Sequence, residues 1–115
     1  MNQKQLMGRP SKYSPELAEY ICSQIANGMS LRQVCADDAM PDKKTVMRWL
    51  AAHTEFCHQY AYAREMQQEY FCSRIIEIAD SVPPKRKAIQ KARLQIDALK
   101  WTMARMLPKK YGNSA

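Results

Sequence analysis

Apolar residues recur at helical spacing in the first fifty residues, and short polar breaks separate them. A first helix is predicted to begin after the capping hydroxyl of Ser14, with Pro15 in its first turn, and to end at Gly28. Its apolar side chains share one face: Leu17, Tyr20, Ile21 and Ile25. Ser30 and Gln33 predict a capping box at the start of a short second helix.

A third helix is predicted from Lys43 to about His53, after the polar turn 37–42. Helical spacing directs three apolar side chains inward: Val46, Trp49 and Leu50. The outward positions are mostly cationic, with Thr45 between the two faces: Lys43, Lys44, Met47 and Arg48. A short helix, a tight turn and a helix with exposed cations predict a helix-turn-helix, whose third helix meets base edges in the major groove.

The second half of the chain predicts two longer helices. The first is predicted to be capped by Thr54 and to end near Ser81, before Pro83 and Pro84. The next is predicted to reach about Leu107, and its apolar residues step by three and four: Ile89, Ala92, Ile96, Leu99, Met103 and Met106. This spacing is typical of helices that pack side by side. The chain is therefore predicted to be all-α, with a helix-turn-helix domain over 1–53 and a helical hairpin with a short basic tail over 54–115.

Charge is distributed unevenly along these helices. The 115 residues carry 18 Lys+Arg against 11 Asp+Glu, for a formal net charge of +7. By segment, residues 1–53 carry a net charge of +2, residues 54–82 carry −3 and residues 83–115 carry +8. A basic chain that contains a helix-turn-helix predicts nucleic acid as its partner.

Two groups of residues, all of them cations except Thr45, are candidate DNA contacts. The first lies in and beside the helix-turn-helix: Arg9, Lys12, Arg32, Lys43, Lys44, Thr45 and Arg48. The helix dipole disfavours cations at a helix N-terminus, so Lys43 and Lys44 suggest a partner phosphate, and two merely solvated side chains are the alternative. The segment around Arg9 can lie extended in a minor groove, and a disordered tail is an equal alternative. The second group is the run Lys85, Arg86 and Lys87, for which a solvated loop is an equal alternative.

Other kinds of chemistry find little support in the sequence. Cysteines occur at four positions without a CxxC pair, which predicts reduced and mostly buried thiols: Cys22, Cys35, Cys57 and Cys72. His53, Cys57 and His58 provide too few ligands for a zinc site. The sequence has no catalytic constellation, so neither enzymatic activity nor a cofactor is expected. It also has no apolar stretch of about 18 residues, so no membrane partner is expected.

The hairpin predicts self-association. Its first helix has about 27 residues and is roughly 40 Å long, more than a three-helix unit of this size can cover. The expected oligomer interface lies on the last helix: Ile89, Ala92, Ile96, Leu99, Trp101 and Met103. Head-to-tail packing gives a ring and two-fold packing gives a dimer, and the sequence leaves both open.

Several motifs carry a family resemblance. They are Gly8-Arg9-Pro10-Ser11, Met40-Pro41-Asp42-Lys43, Thr45-Val46, Arg48-Trp49-Leu50-Ala51, Lys91-Ala92-Arg93-Leu94 with Asp97, Lys100-Trp101, Ala104-Arg105-Met106 and Pro108-Lys109-Lys110-Tyr111-Gly112. Over roughly residues 8–112 the chain resembles the small terminase subunit of tailed double-stranded DNA phages, most of all those of short-tailed enteric phages.

The resemblance implies a DNA-recognition subunit with no catalytic activity of its own. Such a subunit forms a homo-oligomeric ring of eight or more copies and binds the viral packaging site through its helix-turn-helix. It then brings this double-stranded DNA to the large ATPase/nuclease subunit in the cytoplasm of the bacterial host. Relatives usually continue into a C-terminal β-strand region, and this sequence ends at Ala115. A dimeric helix-turn-helix transcription regulator is the alternative function, and an architectural DNA-binding protein is the third.

Overall fold

A computed structural model of the protein describes residues 9–106, and every regular element in this range is a helix. The helices are α1 (Pro15–Ala26), α2 (Leu31–Cys35), α3 (Lys43–Ala52), α4 (Thr54–Ser81) and α5 (Arg86–Met106). The predicted all-α class is confirmed. The start of the arm, the predicted helix end at Leu107 and the predicted basic tail lie outside the described residues.

The predicted starts of the first two helices are confirmed by their caps. The Ser14 hydroxyl accepts a hydrogen bond of 3.1 Å from the backbone N–H of Leu17 at the start of α1. At α2, the Ser30 hydroxyl accepts from the Gln33 N–H at 3.1 Å, and the Gln33 side chain accepts from the Ser30 N–H at 2.8 Å. Each cap satisfies donors that the first helical turn leaves without partners.

The predicted end of α1 is also confirmed, through a Schellman motif. The N–H of Gly28 donates to the carbonyl of Ile25 at 3.0 Å, and the N–H of Met29 donates to the carbonyl of Gln24 at 3.1 Å. Gly28 has φ of 106°, in a region where a Cβ atom is unfavourable. The chain therefore leaves α1 through a turn that favours glycine.

Helices α3 and α4 meet at one residue, His53. Its N–H donates to the carbonyl of Trp49 at 2.8 Å, and its own carbonyl accepts from the N–H of Cys57 at 3.0 Å. Helical hydrogen bonding in α4 thus already includes the His53 carbonyl. Thr54 is the first helical residue, and the prediction that it caps α4 was wrong by one position.

The chain divides into two compact units, Met1–Gln67 and Gln68–Ala115. The division lies inside α4, beyond the boundary predicted after residue 53, because the first part of α4 contributes to the core of the first unit. Phe56 and Ala63 are buried together with side chains of α1, α2 and α3. The core consists of Ala18, Ile21, Ile25, Leu31, Val34, Cys35, Val46, Trp49, Phe56 and Ala63.

A buried amide fixes α4 to the loop that precedes α2. The Gln67 side chain is 1% exposed, and its Nε2 donates to the carbonyl of Met29 at 2.8 Å. A buried polar group without a partner is costly, so this bond favours one position of the loop against α4. Gln67 thereby helps to hold the helix-turn-helix on the long helix.

The second unit contains the predicted helical hairpin. The remaining part of α4 and α5 are joined by the short break 82–85, and both helices line one groove, through Arg74 and Ile78 on α4 and Lys91 and Gln95 on α5. Among the side chains that the structure describes in this unit, few apolar ones are buried: Phe71, Ile78, Ala92 and Met103. No helix within residues 9–106 combines the length and the apolar character that a membrane span requires.

The four cysteines are free thiols, and their burial differs from the prediction. Cys35 is buried, Cys22 and Cys72 are half-buried, and Cys57 is exposed on α4. The expectation of mostly buried thiols is confirmed in full only at Cys35, and it was wrong for Cys57, which falls on the solvent face of its helix. No group of three or more His, Cys, Asp or Glu side chains suited to a metal ion occurs in residues 9–106.

Candidate nucleic-acid interface

Helix α3 is fixed through one face and its N-terminus. Val46 is fully buried and Trp49 is 6% exposed, so both anchor the helix in the core of the first unit. At its start, the Asp42 carboxylate accepts a hydrogen bond of 2.8 Å from the Thr45 N–H. Pro41, directly before this cap, is also fully buried. The inward face and the start of the third helix agree with their prediction.

The opposite face of α3 is basic and exposed. Lys43, Lys44 and Arg48 are exposed and form no hydrogen bond or ion pair with any residue of the described range, while Thr45 is half-buried. Lys44 and Arg48 are four residues apart on the helix, where like charges repel. The two lysines also stand at the positive end of the helix dipole. An anion on this face would relieve both unfavourable interactions.

Two other predicted contacts, Arg32 and Lys12, are exposed as well. Arg32 lies on α2, and Lys12 lies in the segment before α1. Neither side chain bonds to a residue that the structure describes, so both cations are available for a partner.

The aspartates of the turn act in turn formation and capping. The Asp37 side chain accepts from the Ala39 N–H at 2.9 Å, and its carbonyl accepts from the Met40 N–H at 2.9 Å. The hydrogen bonds from Thr45 hold the pKa of the Asp42 carboxyl below its usual value, with smaller contributions from the charges of Arg9 and Arg48. The Asp37 and Asp42 carboxylates therefore stabilise the turn and the start of α3 in the helix-turn-helix.

Arg9, predicted as a DNA contact, has several acceptors within the chain. Its Nη1 donates to the carbonyl of Cys35 at 2.7 Å and to the carbonyl of Met40 at 3.2 Å. Its Nη2 forms an ion pair of 3.4 Å with the Asp38 carboxylate. The guanidinium is thus attached to the turn between α2 and α3.

Tyr13 is an important residue that the sequence analysis missed. Its ring stacks on the His53 ring with a centroid distance of 3.6 Å and an interplanar angle of 8°. It also contacts Trp49 edge-on at 5.5 Å and Phe56 at 6.0 Å. Burial raises the pKa of the Tyr13 hydroxyl, with further effects of Glu55 and Cys22. The ring partners of Tyr13 lie in and around α3 and α4, far along the chain, so no local pattern could have identified it.

The second basic run, Lys85 to Lys87, lies at the start of α5. The N–H of Lys85 donates to the carbonyl of Pro83 at 2.8 Å, and its carbonyl accepts from the Ile89 N–H at 2.9 Å. Lys85 therefore stands at the helix cap. All three side chains are exposed and have no ion pair with the described residues.

The predicted oligomer interface divides between two faces of α5. Ala92 and Met103 are already buried within one chain, and Ile96 and Leu99 are half-buried. Burial within one chain places Ala92 and Met103 on the inner side of the hairpin. Their contact with another copy stays a prediction. Trp101 is 63% exposed, and the Arg105 guanidinium carbon lies 4.8 Å from its ring centre.

The exposed apolar surface of α5 includes a residue that the sequence analysis missed. Leu94 is 70% exposed, and Ile89 is 43% exposed. Leu94 and Trp101 are seven residues apart, so both lie on one helix face. That face is remote from the one that carries Ala92 and Met103. Helix α5 thus has an inner and an outer apolar face.

Comparison with known proteins agrees with this architecture. Residues 13–115 match the model of the family described as "Bacteriophage Sf6, terminase small subunit-like". Two solved variants of the terminase small subunit gp1 of the bacterial virus Sf6 are 46% and 47% identical to the chain, with TM-scores of 0.68 and 0.69. Each match covers 92% of this chain and 82% of gp1.

A cellular relative is also similar. The uncharacterized protein YffO of Escherichia coli strain K12 is 33% identical over 101 residues, which cover 81% of this chain and 73% of YffO. The family match spans most of the chain, and the helical structure agrees with it. The chain therefore belongs to the Sf6 terminase small subunit-like family.

Proposed function

We propose that this small terminase subunit is the DNA-recognition component of a phage packaging machine. It binds the viral packaging site through α3 and delivers that DNA to the large ATPase/nuclease subunit in the host cytoplasm, without catalysing a reaction itself. The observation that carries this proposal is the exposed set of Lys43, Lys44 and Arg48 on a helix whose other face is anchored in the core. Family membership favours this function over a dimeric transcription regulator.

The cations of this surface have different tasks. Lys43 and Lys44 contact phosphates, because ammonium groups act as point charges and phosphate contacts position the protein without reading sequence. Arg48 lies one turn further into the helix, and its planar guanidinium suits the two acceptors of a guanine edge. Arg32 and Lys12 add phosphate contacts beside α3.

Self-association multiplies contacts that are weak in one chain. A single helix-turn-helix makes few phosphate contacts, so its affinity is low and strongly dependent on salt. Several copies in a ring raise the effective concentration of each helix-turn-helix near the DNA, provided that the DNA can bend to reach several copies. We propose a ring of about eight or more copies, as the family resemblance implies.

The outer faces of the hairpin supply the surfaces for this ring. On α4, the exposed Ile76 is accompanied by the exposed acids Glu69, Glu77 and Asp80. On α5, the exposed Leu94 and Trp101 are accompanied by exposed cations: Lys87, Lys91 and Arg105. Opposite charges beside two apolar faces favour packing of α5 from one copy on α4 of the next. Such head-to-tail contacts close into a ring when the rotation allows it.

The DNA contact is tested by fluorescence anisotropy with two short duplexes, one selected from a random library and one with its sequence scrambled. The double variant Lys43→Ala, Lys44→Ala should weaken binding to both duplexes equally and lower the salt slope by about 2. Arg48→Ala should cost about 1–3 kcal/mol on the selected duplex alone. The matched control is Arg93→Ala, Lys100→Ala, which removes two exposed cations of α5 that lie outside the proposed contact between copies.

The outcomes separate a reading helix from a general effect of net charge. If the α3 and α5 double variants lose affinity equally, net charge explains the binding and α3 has no special role. Wild-type affinity in the triple variant of Lys43, Lys44 and Arg48 would exclude α3 as the DNA reader. Native mass spectrometry of the wild type tests the ring, and a dimer would favour the regulator alternative.

A further inference from the structure

We infer that Arg9 positions α3, the helix proposed to contact DNA bases, through hydrogen bonds within the protein. Its guanidinium connects the last residue of α2 to the residues just before α3 and so fixes the turn of the helix-turn-helix. This inference rests on the proposed function, since it concerns the orientation of α3 toward DNA. Arg9 is a positioning residue that acts through α3 and has no phosphate partner of its own.

The geometry of the turn supports this role. Cys35 ends α2, and its carbonyl is one of the acceptors that a helix C-terminus leaves without an intrahelical donor. Met40 lies two residues before the cap of α3, and its carbonyl accepts from the same Arg9 nitrogen. One Nη1 atom therefore joins the two ends of the turn, at 2.7 Å and 3.2 Å.

The electrostatic contacts of Arg9 also support a positioning role. Its Nη2 is paired with Asp38 inside the turn, and its charge also contributes to the lowered pKa of the Asp42 carboxyl at the α3 cap. Lys12 in the same segment is exposed and bonds to no residue of the described range. The two cations of this segment therefore differ: Arg9 is bound within the protein, and Lys12 is available to DNA.

The effect on the free protein is measured first. Arg9→Ala should lower the Tm of the first unit by about 4–8 °C, the shift expected when such a unit loses about 1 kcal/mol. Trp49 fluorescence in a Trp101→Phe background reports this unit alone. Hydrogen exchange at the Met40 amide, which donates to Asp37 within the turn, should become faster. Arg9→Lys keeps the charge and part of the bonding, so it should recover part of the Tm.

The effect of Arg9→Ala on sequence-specific DNA binding needs a control variant that is destabilised to a similar extent. Ile25→Val removes one buried methylene from the core and lowers the Tm without removing an acceptor of Arg9. Both variants are titrated with the selected and scrambled duplexes well below their Tm. The specificity is measured as the logarithm of the affinity for the selected duplex divided by that for the scrambled duplex. This logarithm should fall by at least half in Arg9→Ala and should stay unchanged in Ile25→Val.

The opposite result would assign Arg9 to the DNA. Lys12→Ala is expected to lower the salt slope of DNA binding by about 1. If Arg9→Ala lowers the slope equally but keeps the wild-type Tm and Met40 exchange rate, Arg9 is a phosphate contact and the inference is wrong. Failure of the proposed function leaves a different pattern. The Tm and exchange effects of Arg9→Ala would remain, and the Lys43 and Lys44 variants would bind DNA like the wild type.

Discussion

The two units of the chain differ in how completely they bury their apolar side chains. In the first unit, short helices are held by three side-chain caps, a Schellman turn and a cluster of aromatic rings around Tyr13. In the second unit, long helices bury few apolar residues and expose large ones such as Leu94, Trp101 and Ile76. The first unit buries a core of ten side chains and also exposes Tyr20, Met47, Tyr62 and Met66, whereas the second buries few apolar side chains and has an outer apolar face suited to another copy.

This difference matches the two tasks proposed for this small terminase subunit, DNA recognition and self-association. A DNA reader must present its side chains from a rigid scaffold, and the caps and ring contacts provide that rigidity. An assembling element must leave its contact surface open until copies meet. A change in the first unit should therefore affect folding, and a change on the outer face of the second should affect assembly.

The largest effect is expected at Phe56. Its side chain is fully buried and lies 6.2 Å from the ring of Tyr60 and 6.0 Å from that of Tyr13. Phe56→Ala should lower the free energy of unfolding of the first unit by about 3–5 kcal/mol, since it removes a large side chain from a packed core. Urea titration with Trp49 fluorescence in a Trp101→Phe background measures this loss.

The matched control for Phe56 is Tyr62→Ala on the same helix, because Tyr62 is 65% exposed. The control should change the stability of the first unit by less than about 1 kcal/mol. Equal losses in the two variants would mean that the first part of α4 is not part of this core. The boundary predicted after residue 53 would then describe the unit better.

The second effect concerns assembly. Leu94→Asp places a charge on the outer apolar face of α5 and should disperse the oligomer while the helical content remains, because an unpaired charge in a contact between copies is costly. The adjacent Gln95→Asp adds the same charge on a different face of α5 and should leave the oligomer intact. Light scattering after size exclusion gives the mass, and circular dichroism gives the helical content.

An oligomer that persists in Leu94→Asp would exclude the outer face as its contact surface. The half-buried inner seam, with Ile96 and Leu99, would then be the remaining candidate. Leu99→Asp is a weaker test, because Leu99 also contributes to the hairpin of a single chain and its loss affects folding and assembly together.

The third effect concerns the basic run at the start of α5. Replacing Lys85, Arg86 and Lys87 with Gln should weaken DNA binding and lower the salt slope by up to about 2–3 if these side chains contact phosphates. The control Arg93→Gln, Lys100→Gln removes two positive charges from the helix body, outside the proposed contact between copies. An unchanged slope in the first variant would assign the run to a solvated loop.

Much of the fold could be predicted because its signals are local. Ser14, Ser30, Asp42 and Gly28 each act within a few residues of their own position, so their effect is visible in the sequence. The basic face of α3 was also predictable, since helical spacing alone divides its residues into two faces. The family resemblance then gave the small terminase subunit, which the comparisons confirm.

The remaining features depend on contacts between distant parts of the chain. Arg9 reaches carbonyls 26 and 31 residues further along, and the Gln67 side chain reaches Met29, 38 residues away. Spacing could not assign the two apolar faces of α5 either, because an inner seam and a contact between copies follow the same pattern. Such features require the three-dimensional structure.

The smallest effect tests the cap on which the orientation of α3 depends. The hydrogen bonds from Thr45 lower the pKa of the Asp42 carboxyl from its usual 3.8. A carboxyl whose pKa is lowered by folding stabilises the folded state above pH 3.8 and loses this contribution as the pH falls through the lower, folded pKa. Asp42→Asn keeps a capping oxygen but does not titrate.

The difference in Tm between the wild type and Asp42→Asn should therefore be largest above pH 3.8 and decrease toward lower pH. Thr45→Ala removes only the hydroxyl and keeps the backbone N–H, which is the larger cause of the shift, so the pH dependence should become weaker and remain detectable. Thermal melts of the three proteins, followed by Trp49 fluorescence with Trp101→Phe, measure this small difference. A Tm difference that stays constant at every pH would mean that the charge of the Asp42 carboxylate does not contribute to the cap.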